Sequence, residues 1–177
     1  MLLKESIDLI RNDAMSGTNV QTWADLGSGS GSFTAALANL LPDNSTIYAV
    51  DKNNSSLKNI IDNKKITIEK ILADFVNDNL PQNLDGILMA NSIHYVKDKN
   101  AFINKIEKNF KSKPLFLIVE YDTDISNPWV PFPISFNTLK QFFTNAGYNS
   151  VKKLNEHISI YQRVNIYSAL IKNKVKI

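Results

Sequence analysis

Residues 23–33, Trp-Ala-Asp-Leu-Gly-Ser-Gly-Ser-Gly-Ser-Phe, run a short apolar segment into three alternate glycines and then into a helical pattern. Few other stretches of this chain constrain the fold as much, because a strand, a glycine turn and a helix in that order belong to a sheet with crossover helices. Alternate glycines admit positive φ and remove the Cβ atoms that hold a bulky ligand off the main chain. The helix expected from Phe33 to Leu41, stopped by Pro42, offers its free N–H groups and positive dipole end to the same ligand. A dinucleotide turn is spaced G-x-G-x-x-G. Here Gly27, Gly29 and Gly31 give G-x-G-x-G, and Asp25 stands two residues before the first of them. A carboxylate there suits an ammonium group and would repel a pyrophosphate.

The rest of the chain extends the same pattern. Leu3, Ile7 and Ile10 fall at helical spacing in residues 2–13. Strands are expected at 21–26, 46–50, 66–72, 84–90 and 115–120, most of them apolar throughout, as strands buried on both faces should be. Helices are expected at 53–63, 99–111 and 137–146, the last closed by Gly147. Strand and helix thus alternate in five units, which implies a parallel sheet covered on both faces. Two final strands, near 149–155 and 163–171, have no helix between them and should form an antiparallel hairpin at an edge. The whole reads as one doubly wound α/β domain over 1–177, with residues 1–18 as an N-terminal helix that could act as a lid. Ligands of such sheets bind at strand C-termini near the switch in strand order.

The run Asp25-Leu26-Gly27-Ser28-Gly29-Ser30-Gly31 resembles motif I of the class I S-adenosylmethionine-dependent methyltransferases. The likeness extends over roughly residues 18–172. It implies a Rossmann-like, mostly parallel seven-stranded sheet, S-adenosyl-L-methionine as cofactor and S-adenosyl-L-homocysteine as product. Asp51, about 20 residues after the turn, stands where a carboxylate accepts from both ribose hydroxyls. Ala73-Asp74-Phe75 is similar to the third motif, whose Asp accepts from the adenine amino group while the next residue packs on the ring. Asn91, after the fourth strand, corresponds to a position at the methionine end. The prolines that follow it in enzymes acting on amino groups of DNA bases or glutamine are missing from Asn91-Ser92-Ile93-His94.

His94, close behind that strand, is the candidate general base, since imidazole titrates near neutrality. His157 reads as a surface residue. The 121–133 loop carries three prolines, and loops of that length are usually functional. Tyr121, Asp122 and Trp129 are therefore expected to wall a small-molecule acceptor, with Asp122 or Glu120 at its polar end. The wording of this loop also resembles small bacterial methyltransferases of unassigned substrate.

Composition narrows the partners. Cys is absent, which removes disulfides, thiolate ligands and a cysteine nucleophile. With two His far apart, a zinc site is disfavoured as well. Net charge is +3 with the lysines dispersed, so no basic stripe points to nucleic acid. No membrane-spanning run and no signal sequence are evident, and a cytoplasmic setting is expected. An NAD-dependent oxidoreductase and a non-catalytic nucleotide-binding module of the same fold stand as the alternatives.

Overall fold

The computed structural model describes residues 1–63, 65–158 and 164–174. Helix α1 (Leu3–Ile10) precedes β1 (Thr22–Leu26), the glycine turn and α2 (Ser32–Ala38). Then come β2 (Thr46–Asp51), α3 (Asn54–Lys58), β3 (Thr67–Leu72), β4 (Gly86–Ala90), α4 (Lys99–Ile106) and β5 (Phe116–Tyr121). Helix α5 (Phe136–Asn145), β6 (Tyr148–Ile158) and β7 (Asn165–Lys174) follow. The seven strands form one sheet in the order β3-β2-β1-β4-β5-β7-β6. Strands β3, β2, β1, β4 and β5 pair in parallel, while β7 runs antiparallel to both β5 and β6.

Alternation along the central strands divides the core. Ile87 and Met89 face a layer that holds Phe102, Ile103 and Ile106 of α4 with Leu139 and Phe143 of α5. Leu88, between them, faces the layer that holds Leu9 and Ile10 of α1 with Ala36 and Leu37 of α2. The period of two in a strand buried on both sides produces this sandwich. The chain leaves β1 toward β2 and β3 and then returns to β4 on the other side. The switch in strand order therefore lies between β1 and β4, with the glycine turn above it.

The expected strand-helix alternation fails once. Residues 73–85, between β3 and β4, form turns and no helix, because Asp74 accepts from Val76 N and Asn77 Nδ2 and folds the chain tightly there. Helix α3 is shorter than the periodicity suggests. Asn63 accepts from the backbone N–H groups of Lys65 and Ile66, a local side-chain bond that turns the chain toward β3. Helix α4 gives way at Glu107–Asn109 to a tight 3₁₀ turn, where Asn109 donates to the carbonyls of Leu80 and Pro81. The terminal hairpin forms as expected, yet its second strand, not its first, lies against β5. The start expected for that strand at residue 163 falls outside the described residues.

Candidate active site

The turn after β1 is shaped by backbone bonds. Gly27 N and Ser28 N both donate to Val50 O, at 2.8 and 3.0 Å, drawing the turn over the end of β2. Gly27 has φ of 80°, and a Cβ there would stand 2.6 Å from Ser92 Cβ. Gly29 has φ of 53° with open space where its Cβ would be. Gly29 thus leaves open space toward the cavity, while Gly27, which also lines it, is required by close packing. Gly31 sits at the N-cap of α2 in the left-handed conformation.

Asp25 is buried beneath this turn. Thr34 of α2 donates to its Oδ2 at 2.6 Å, while Oδ1 has no hydrogen-bond partner. Burial pushes its carboxyl up to about 7 against the opposing effect of the Thr34 bond, and the nearby Asp51 adds to the rise. Among the described residues, three buried side-chain polar atoms lack a partner: Asp25 Oδ1, Ser28 Oγ and Asn91 Oδ1. All three residues line one cavity of about 1180 Å³. Asn91 reaches it from a left-handed backbone with φ of 52°, a conformation asparagine tolerates better than most residues. Buried polar atoms rarely go unsatisfied, so three on one wall mark a place shaped for a polar ligand.

The same cavity is lined by Asp51, Asp74 and Phe75. Asp51 bridges the turn, accepting from Gly29 N and Asn53 N at 2.8 Å each. A carboxylate offers about four acceptor positions, so capacity for two further donors remains. For Asp74, burial raises the carboxyl, but bonds from Val76 and Asn77 and the charge of Lys52 outweigh it and hold the group below its usual range. Phe75 is buried edge-on against Phe102, with centroids 5.8 Å apart.

On the far side of the switch, Tyr121 lines the cavity but His94 does not. The His94 ring is buried, its Nδ1 lies 2.9 Å from both carboxylate oxygens of buried Glu120, and it packs against Tyr95 at 4.3 Å and Tyr121 at 6.5 Å. It stands behind two tyrosines that face the cavity. Asp122 and Trp129 are not brought to the site. Asp122 accepts from Phe136 N and Lys153 Nζ, tying the loop to α5 and β6. Trp129 is 74% exposed, because the tight Asn127–Val130 turn carries it outward. The wall beside Tyr121 comes instead from Met1, Leu2 and Glu5 around α1 and from His157, Ile158 and Ile166 at the ends of β6 and β7.

Sequence reasoning named the N-terminal helix as a possible lid and His157 as a surface residue, but did not single out Ile158, Ile166, Thr34 or Ser28. Thr34 was legible as a polar residue on the apolar side of α2. The distant wall had no such signal, since it is assembled by strand register: Tyr121 pairs with Ile166, and Ile166 with His157.

A family model described as methyltransferase domain matches residues 19–173. The chain belongs to the methyltransferase-domain family. The cofactor of its class I branch is S-adenosylmethionine, which the acid-and-glycine arrangement suits. No curated protein matches this sequence. Its fold is similar to that of a SAM-dependent methyltransferase from Leishmania major, with TM-score 0.70 and 18% identity over 95% of this chain and 72% of that one. A SAM-dependent methyltransferase from Aquifex aeolicus gives 0.59 and 15%, over 97% and 99%. Phosphoethanolamine N-methyltransferase 2 from Haemonchus contortus, solved with phosphomonomethylethanolamine and S-adenosylhomocysteine, gives 0.68 and 10%, over 98% of this chain and 53% of that chain. Among the described residues no helix is long and apolar enough to cross a membrane, and no cluster of His, Cys, Asp or Glu could hold a metal ion.

Proposed function

We propose that this methyltransferase transfers a methyl group from S-adenosylmethionine to an oxygen or nitrogen of a small-molecule acceptor. The observation that carries the reading is that Asp25, Ser28 and Asn91, each with a buried, unpartnered side-chain oxygen, all line the cavity above the β1–β4 switch. Bound there, S-adenosylmethionine would supply a methyl carbon activated by its sulfonium charge to an acceptor lone pair, the S–C electron pair staying on sulfur and the proton of a hydroxyl or protonated amine passing to water. Asp25 would accept from the ammonium group, Asp51 from the ribose hydroxyls and Asp74 from the adenine amino group, with Phe75 beside the ring. The protein's remaining task is to align the acceptor and exclude water. An NAD enzyme is disfavoured by the strand order, in which antiparallel β7 sits between β5 and β6 where the dinucleotide fold continues in parallel.

We assign His94 a positioning role. Its Nδ1–H donates to Glu120, which fixes the ring behind Tyr95 and Tyr121 and sets the acceptor side of the cavity. His94→Ala and Glu120→Ala should then lower turnover and raise the acceptor KM alike, with S-adenosylhomocysteine affinity within about tenfold; Glu120→Gln, which can still accept, should recover part of the loss. A group that itself removes the proton would instead make His94→Ala erase the acid limb of the kcat profile.

Titration calorimetry tests the cofactor reading directly. S-adenosylhomocysteine should bind and NAD should not, and Asp51→Ala should weaken binding by about 1 to 3 kcal/mol, the range for hydrogen bonds to a charged group. Binding of NAD without S-adenosylhomocysteine would overturn it.

A further inference from the structure

Four residues that line the cavity are large, apolar and open to water: Met1 at 45% exposure, Leu2 at 72%, Tyr95 at 53% and Ile158 at 72%. They are not scattered. Ile158 lies at the end of β6, beside the register row Tyr121–Ile166–His157, so three adjacent strands end on this wall together. Helix α1 is fastened over the same ends. Asn155 Nδ2 donates to Asp8 O at 2.8 Å, Ser168 donates to Leu9 O, and Glu5 stands 3.8 Å from His157. Single exposed apolar side chains are ordinary on a protein surface, whereas a group converging on one concave site marks a binding face.

The polar end of the cavity, with Asp25, Ser28, Asp51, Asp74 and Asn91, is fully used by the cofactor reading. The volume of about 1180 Å³ exceeds the roughly 300–1,000 Å³ usual for a site holding one ligand. Space therefore remains beyond the methionine end, lined mainly by Met1, Leu2, Tyr95, Tyr121, Ile158 and Ile166, with Glu5 and His157 as polar neighbours. We propose that this space, between the start of α1 and the ends of β6 and β7, takes an uncharged acceptor with an apolar body, an aromatic ring or short alkyl chain held by Leu2, Tyr95 and Ile158. The proposal rests on the cofactor reading above and adds the acceptor's chemical class and its place. The acceptor lies on the α1 side and away from the loop that carries Trp129. Covering these side chains is favourable in proportion to the apolar area removed from water, about fourfold in affinity for each buried methylene.

The test uses 4-alkylphenols from methyl to hexyl as probes, titrated by calorimetry into the full chain saturated with S-adenosylhomocysteine. Affinity should climb by up to about fourfold per methylene across the first members. The Leu2→Ser/Ile158→Ser double variant should flatten that climb, while its S-adenosylhomocysteine affinity stays within about twofold and its melting temperature is kept. A flat series in the wild type, a climb that the double variant leaves intact, or tighter binding of the matching 4-alkylbenzoates would overturn the proposal. So would sedimentation showing a dimer that the double variant dissociates, since a second copy would then be what covers these residues. Failure of S-adenosylhomocysteine to bind in the first titration would strike the cofactor reading itself, and is seen before any phenol is added.

Discussion

Asp25 places a stability cost and the proposed ammonium contact in the same carboxylate. Its carboxyl is held near neutrality, at about 7, chiefly by burial, so the folded protein keeps a proton that the unfolded chain gives up at ordinary carboxylate pH. Stability from this group is fully present below about pH 4 and is lost as pH rises through 7, on the order of 4 kcal/mol in all. Asp25→Asn should remove that slope, raising the melting temperature at pH 8 relative to the parent while weakening S-adenosylhomocysteine by tenfold or more. In the parent, affinity should increase from pH 6 to pH 8, because an ionised carboxylate is what pairs with an ammonium group, and calorimetry in buffers of different ionisation heat should detect proton release at pH 6. The glycines separate in the same way. Gly27→Ala meets both a left-handed φ and the Ser92 side chain, and should destabilise by about 2 kcal/mol or more. Gly29→Ala meets only the backbone penalty of about 1–2 kcal/mol and should act mainly on ligand affinity. Chemical denaturation of the two variants, compared with their calorimetric titrations, checks the contrast.

At the scale of elements, the loop after β5 reveals how pattern and purpose can part. Its length, prolines and aromatics suggest a substrate wall, yet its carboxylates work on α5. Asp124 accepts from Ser135 N and Oγ at 2.8 Å and from Thr138 Oγ1 at 3.0 Å, beside the Ser135 cap itself. Burial is the largest single influence on the Asp124 carboxyl and raises it, but the bonds from Ser135 and Thr138 together outweigh it and lower the group overall. Its contribution is thus present above the ordinary carboxylate pH and lost as pH falls through the folded value. Asp124→Ala should cost about 1 kcal/mol, in the range of a lost helix cap, and lower the melting temperature by about 2–4 °C at pH 7, with the difference shrinking as pH falls below the ordinary carboxylate range. Sequence pattern served well for elements that carry their own signal. The apolar runs of β1, β2, β4 and β5 and the turn at Gly27–Gly31 are local chemistry, and each formed near its expected place. Helix α3 stops at Lys58 and Asn63 then turns the chain toward β3, while α4 gives way to a 3₁₀ turn whose Asn109 binds the Leu80 and Pro81 carbonyls; these bonds reach partners outside the helical period that predicted both helices.

At the scale of the molecule, the half of the site built from one βαβ unit was readable because Asp25, the glycines and Asp51 lie within about 25 residues of one another. The other half was not, since it joins α1 to strands some 150 residues later, and nothing in either stretch announces the other. That distance follows from β7, the last strand in the chain order, which fills the slot between β5 and β6 and is buried along Ile166–Ile171. Of the seven strands it is synthesised after the others. Until it is out, β5 presents an unpaired apolar edge and β6 has no neighbour, so a nascent or prematurely stopped chain ending before Asn165 would carry two open templates for intermolecular strand addition. Dependence on holdase chaperones should therefore fall sharply once residues 165–171 clear the exit tunnel.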